Sequence, residues 1–376
     1  MGTANTAIVQ YQNRLYACHE ASLPFEIQWQ NNNSFISLGY RDWNGVLNSP
    51  VNAHAKVDPR DGNMYFVGYA PQPGSSSVSY GVIRGNDVLS YVHLNLPETP
   101  WIHDMMITEN YILLFVGSVT LSPAGVIKDS LFHFDDDTSF KIGVAHKLGR
   151  DVKARSTDGS DIYRSDTIQW FEAPGAAVIL HACNAWEEGN KIILWTPLAD
   201  YFDGTLQQNR NVFHMTKLTL DLDSGRMSRG TLARTHNIEF PRVHPYFIGI
   251  PSRFGFAGVM NGKGDASFEG FVKFDFFSKE IVNEVKFREG VIGGELVPIS
   301  KRNPVVSDDS DGSDSVYLAT FLYDTVYNGT EWVVYDGYSM SSDPIVRVRV
   351  PRRVPFGFHG HWVPEDDLQS HMSDSV

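Results

Sequence analysis

Histidine is the residue type in this chain that most invites a chemical reading, and thirteen are present. One lies in the run RVPFGFHGHW, residues 353–362. Pro355 and Gly357 disfavour a long regular element there, and Gly360 permits a sharp turn or a close backbone approach. The run reads as a short buried strand that delivers His359 to the interior. His361 would share the face of His359 in a regular strand, so periodicity does not choose between the two. Imidazole suits iron, copper, zinc and nickel. The ordinary role of any single buried histidine is a hydrogen-bonded core residue.

Three other histidines share that setting: His54 in VNAHAKVDP (51–59), His103 in WIHDMMI (101–107) and His181 in AAVILHACNAW (176–186). Each reads as the apolar end of a strand whose hairpin partner follows at once. Successive intervals from His54 to His359 are 49, 78 and 178 residues, which puts the four on different hairpins. They are not ligands on one helix, as in His-Glu-x-x-His zinc sites. His133, His146, His214, His236 and His371 have polar or hairpin surroundings that suit a surface.

The elements that must position these residues are strands. Short β-rich runs alternate with polar turns such as Arg84-Gly85-Asn86-Asp87, Thr108-Glu109-Asn110 and Glu187-Glu188-Gly189-Asn190. Gly, Asn, Asp and Ser supply the positive φ or side-chain turn bonds that hairpins need. No long segment carries a 3.6-residue apolar period. The chain reads as all-β. So many hairpins favour a β-propeller, where radial repetition hides strand edges; a β-helix or two sandwiches also fit. Distant strands can bring four imidazoles together only at an axis, and a propeller has one.

Two irregular insertions interrupt the pattern. Pro71 to Ser77 is small and polar. Pro304 to Ser315 is acidic and reads as a solvated loop, its calcium-like spacing lacking the flanking helices of such sites. Residues 1–364 are expected to form a single domain and 365–376 a polar tail. The segment from Trp195 to Phe202 is apolar for a loop, which suggests a tunnel mouth or a membrane surface as alternatives to core packing.

Composition narrows the class. The chain is 42% hydrophobic with a formal net charge of -13 and no basic stripe, which argues against nucleic-acid binding. Two cysteines, Cys18 and Cys183, cannot make a disulfide framework, so a cytoplasmic setting is expected, with peripheral membrane contact as its variant. No apolar run of membrane-spanning length is present. The opening residues match the loose myristoylation pattern, but a strand-like run follows at once and leaves no free tail.

The four histidine segments, in this order and with these neighbours, resemble the histidine motifs of the carotenoid cleavage oxygenases, a family that includes stilbene-cleaving dioxygenases and the retinoid isomerase of the retinal pigment epithelium. The resemblance runs from about Asn5 to Pro364. It implies a seven-bladed β-propeller with a non-haem Fe(II) on its axis, held by His54, His103, His181 and His359. Three carboxylates match the family's outer ligand shell: Glu20 in CHEASLPFE (18–26), Glu239 in NIEFP (237–241) and Glu295 in GGELVP (293–298). A ligating imidazole must keep its other N–H on an acceptor, and nearby carboxylates offset the ion's charge. Family members begin before the segment that matches Asn5, so the N-terminal blade is expected to be incomplete.

The resemblance implies an Fe(II)-dependent dioxygenase that splits an alkene into two carbonyl products. Four histidines leave two octahedral positions for O₂ and closely placed substrate. The expected partners are a small apolar alkene and O₂, with carotenoid or apocarotenoid as the substrate class. Stilbene cleavers carry a lysine just before the first of the three glutamates, where this chain has His19. Stilbene cleavage, a non-catalytic propeller that binds an apolar ligand or partner, and a zinc hydrolase are the rival readings. The zinc reading is disfavoured because catalytic zinc keeps three protein ligands.

Overall fold

The structure, a computed structural model, describes residues 3–368 except 31, 33, 71–76, 97–99, 122–131, 148–152, 156–160, 164–167, 174, 204–210, 233, 263–266, 303–309 and 356. By internal contacts the chain divides into two compact units. One comprises Met1–Asp135, Phe140–Glu172 and His361–Val376; the other comprises Asp136–Ser139 and Ala173–Gly360.

The first unit holds three four-stranded antiparallel sheets. Their strands are Ala7–Tyr11, Arg14–Cys18, Phe25–Gln30 and Ser34–Tyr40; Lys56–Val57, Met64–Tyr69, Ser77–Arg84 and Asp87–Asn95; and Met105–Ile107, Tyr111–Val116, Lys141–His146 and Gln169–Glu172. Local chemistry sets the turns. Gln12 and Asn13 both have positive φ, the two-residue geometry that matches the twist of paired strands. A core of Tyr16, Trp43, Val51, Phe66 and Ile83 packs the first two sheets.

The second unit begins with the sheet Asn184–Glu188, Lys191–Leu198, His214–Asp221 and Arg226–Thr231. A nine-stranded sheet follows. It contains two further four-stranded sets, Ile238–Arg242 to Glu280–Lys286 and Val297–Ser300 to Val346–Val350, joined through the short strand Val291–Gly293. Trp186, Trp195, Phe274 and Phe276 anchor one core cluster and Phe271, Leu318, Val333 and Tyr335 another. The all-β expectation is met. Among the described residues no helix is long and apolar enough to cross a membrane.

Three local expectations need correction. His359 lies in irregular chain rather than in a strand, and His54, His103 and His181 sit just before the strands that start at Lys56, Met105 and Asn184. Strand geometry would force alternate residues to opposite faces; placement outside the strand lets each ring aim independently. The apolar segment from Trp195 is only in part a loop: Trp195–Leu198 completes a strand, and Trp195, Leu198 and Phe202 are buried, as core packing requires, while Tyr201 is exposed. The end of the acidic insertion is not solvated either. Ser310, Ser313, Asp314 and Ser315 are buried. The Lys273 ammonium sits 2.5 Å from Asp314, over the Phe254 ring, and Asp311 accepts the Arg253 and Ser313 N–H groups. The Pro71 to Ser77 insertion falls outside the described residues up to 76, and of the C-terminal tail only a helical turn at 365–368 is described.

Candidate metal centre

Each unit carries one pair of the four histidines. In the first, His54 and His103 lie with ring centroids 4.7 Å apart and offer ring nitrogens within 4.8 Å of one another. The turn that ends the strand Arg14–Cys18 places Glu20 behind His103, whose Nδ1 is hydrogen-bonded to Glu20 Oε1. Trp101 donates its indole N–H to the same oxygen at 3.1 Å. Burial alone would raise the Glu20 carboxyl; the charge of His103 and hydrogen bonds from His103, Trp101 and Tyr69 outweigh it and hold the carboxyl below its usual range. For His103 burial alone would lower the imidazole, but Glu20 and Asp104 outweigh it and raise it. The same carboxylates favour any cation on the far ring nitrogen, proton or metal. Asn52 ties the two histidine segments together, accepting the His54 N–H and donating to the His103 carbonyl. Asp104 lies 4.0 Å from His54 Nδ1 and pairs with Lys56.

In the second unit His181 and His359 stand with centroids 4.8 Å apart at 75°. Glu239 Oε2 is 2.7 Å from His181 Nδ1, and Glu295 Oε1 is 2.9 Å from His359 Nδ1. Gly360 donates its N–H to Glu295 Oε2 at 2.8 Å. The close approach foreseen for Gly360 is present: a Cβ there would meet Val297 Cγ2 at 2.8 Å. Arg242 caps the arrangement, its Nε 2.9 Å and its Nη2 2.6 Å from Glu295 Oε1. Burial alone would raise Glu295; Arg242 and His359 outweigh it and lower it.

An irregularity in the strand Ile238–Arg242 makes this possible. Glu239 faces Gly258 and Arg242 faces Phe256, so the strand carries an extra residue between them. Phe240 absorbs it with φ 53°, a left-handed backbone that costs a side-chain-bearing residue about 1–2 kcal/mol. In a regular strand Glu239 and Phe240 would point to opposite faces; here both reach His181.

The structure separates His359 from His361. The His359 side chain is 6% exposed against Glu295, whereas His361 is exposed and its Nε2 meets Gln10 Oε1 at 3.3 Å. His19 spends its Nδ1 on the N–H of Ala21. His133 is exposed, and His146, His214 and His236 are partly buried; His371 is outside the described residues. Sequence reasoning missed Asn52, Trp101, Asp104, Phe240 and Arg242. Asn52, Trp101, Asp104 and Phe240 carried a signal, as neighbours of residues already singled out; Arg242 carried none.

A family model described as retinal pigment epithelial membrane protein matches residues 1–364. The carotenoid 9,10(9',10')-cleavage dioxygenase of Crocus sativus is 27% identical over 396 residues, covering 100% of this chain and 68% of that relative. Among solved structures, the lignostilbene dioxygenase of Pseudomonas brassicacearum matches with a TM-score of 0.81 at 22% identity, over 96% of this chain and 75% of that one. A Synechocystis apocarotenoid oxygenase matches with a TM-score of 0.78 at 22% identity, over 96% and 74%. Likeness at that identity concerns the fold. It bears out the seven-bladed propeller class, and the four separate four-stranded sheets and the two sets within the nine-stranded sheet are its units among the described residues.

Proposed function

Because the chain belongs to the retinal pigment epithelial membrane protein family, whose model covers residues 1–364, we propose that it is a non-haem Fe(II)-dependent dioxygenase that cleaves a carbon–carbon double bond of a carotenoid or apocarotenoid with O₂. The products are two carbonyl compounds. The carotenoid-cleaving relative supports the substrate class. In this reading His54, His103, His181 and His359 hold the ion, and Glu20, Glu239 and Glu295 orient the rings.

The observation that carries the reading is the pairing of Nδ1 with a carboxylate at His103, His181 and His359. A proton held on Nδ1 leaves Nε2 as a lone-pair donor, the form of imidazole that binds metal. The donor set therefore fits Fe(II): neutral nitrogens in front and negative charge behind. When bound, the ion supplies the activation of O₂. The chain's own residues do the rest. The three glutamates keep the Nδ1 protons in place and offset positive charge. The rings of Trp101, beside His103, and Phe240, beside His181 and His359, surround the imidazoles with apolar surface that excludes water.

The test is anaerobic reconstitution with Fe(II), followed by a panel of carotenoids, apocarotenoids and stilbenes with products identified by mass spectrometry. The expected result is one iron per chain and paired carbonyl fragments from a carotenoid or apocarotenoid. Failure to retain iron, or cleavage of stilbenes alone, would overturn it.

A further inference from the structure

We infer that Phe240 is a positioning residue for the metal centre: its ring sets the angle between the His181 and His359 imidazoles, and its left-handed backbone puts that ring on the same histidine that Glu239 holds. The inference rests on the metal reading above and extends it to a residue with no donor atom.

The ring geometry is specific. Phe240 lies 4.5 Å from His181 at 41° and 4.9 Å from His359 at 34°. The two tilts together equal the 75° between the imidazoles. That equality requires the three ring normals to share one plane, with that of Phe240 between the others. Phe268 packs edge-on against Phe240 at 5.4 Å and 76°, and Phe240 is 6% exposed, so the ring is held by packing. An aliphatic side chain of similar volume would fill the space without imposing a plane.

The backbone acts on the same two residues. Phe240 donates its N–H to Glu239 Oε2 at 2.6 Å, the oxygen that faces His181 Nδ1. The left-handed conformation at residue 240 then swings the Phe240 ring round to the side on which Glu239 meets His181, where extended backbone would restore alternation and turn the two side chains apart. Glycine would adopt that conformation without strain. A strained phenylalanine in its place means that the position is occupied for its ring. Strained backbone persists where the surroundings over-determine it, which is common at functional sites.

The experiment titrates Co(II) anaerobically into the full chain and reads dissociation constants and visible bands, with thermal unfolding of the metal-free protein measured alongside. Wild type is compared with Phe240→Tyr, Phe240→Leu and Phe240→Gly. Phe240→Tyr is expected to keep affinity and bands. Phe240→Leu and Phe240→Gly are expected to bind about 10–100-fold more weakly, the loss typical of disturbed ligand orientation, with shifted bands. Wild-type affinity and bands in Phe240→Leu, with or without a lower unfolding temperature, overturn the inference and leave Phe240 as packing. If Phe240→Leu does not fold, Phe240→Gly decides by the same criterion. A wild type that takes up no cobalt refutes the metal reading itself, and the inference with it.

Discussion

His359 Nδ1 stands 2.9 Å from Glu295 Oε1 across 64 residues of chain. The next N–H, from Gly360, takes the other oxygen of that carboxylate. Two consecutive donors gripping both oxygens fix a segment that lies outside the strands of the described residues. The carboxylate thus does for this histidine what a β-ladder would otherwise do, and leaves the ring free of strand alternation.

His359→Ala is therefore expected to abolish stoichiometric metal uptake and product formation, while His361→Ala keeps both. Metal content after anaerobic reconstitution measures the difference. Equal losses in the two variants would mean that the ligand in this segment is misassigned.

Glu239→Gln keeps an acceptor for His181 but removes the charge. Iron affinity is expected to fall by about 10–100-fold. Glu109→Gln, in an exposed hairpin turn, serves as control and should change stability by less than about 0.5 kcal/mol. Wild-type iron binding by Glu239→Gln would remove this glutamate from the site.

Arg242→Gln deprives a buried carboxylate of its guanidinium partner, although Gly360 and His359 still hold it. The Arg242 side chain is 35% exposed, so the loss in the metal-free protein is expected to be about 1–3 kcal/mol rather than the larger cost of a fully buried break. A cation held in front of His359 would supply part of the missing positive charge. The deficit should accordingly shrink when urea unfolding is repeated with metal, and a deficit that is equal in both conditions would show that Arg242 acts independently of the metal.

Lys273→Met leaves Asp314 buried and uncompensated. A loss of about 3–5 kcal/mol is expected, recovered for the most part in Lys273→Met with Asp314→Leu. Urea midpoints of the two variants test this; a mild Lys273→Met would show that Asp314 is solvated after all.

The sequence carried the fold class in its hairpin rhythm and the site in four histidine segments. What it could not carry depends on pairing and register. His54, His103 and His181 look strand-borne because their neighbours are apolar, and only the ladders show that each precedes its strand. Arg242 lies three residues after Glu239, yet its partner Glu295 lies on a distant segment that no local pattern links to it. The bulge at Phe240 is invisible because no glycine marks it. The end of the acidic insertion was misread as solvated because the counter-ion of Asp314, Lys273, is 41 residues away in the chain.

The pairing of Lys273 with Asp314 bears on what holds the end of the acidic insertion in place. A loop ordered by a free divalent ion is hostage to chelators and to the calcium level of its compartment. Here the cation is covalently part of the chain, on the strand Phe268–Asp275. It cannot be stripped by chelation or diluted away, so the pairing at Asp314 does not depend on the supply of a free divalent ion.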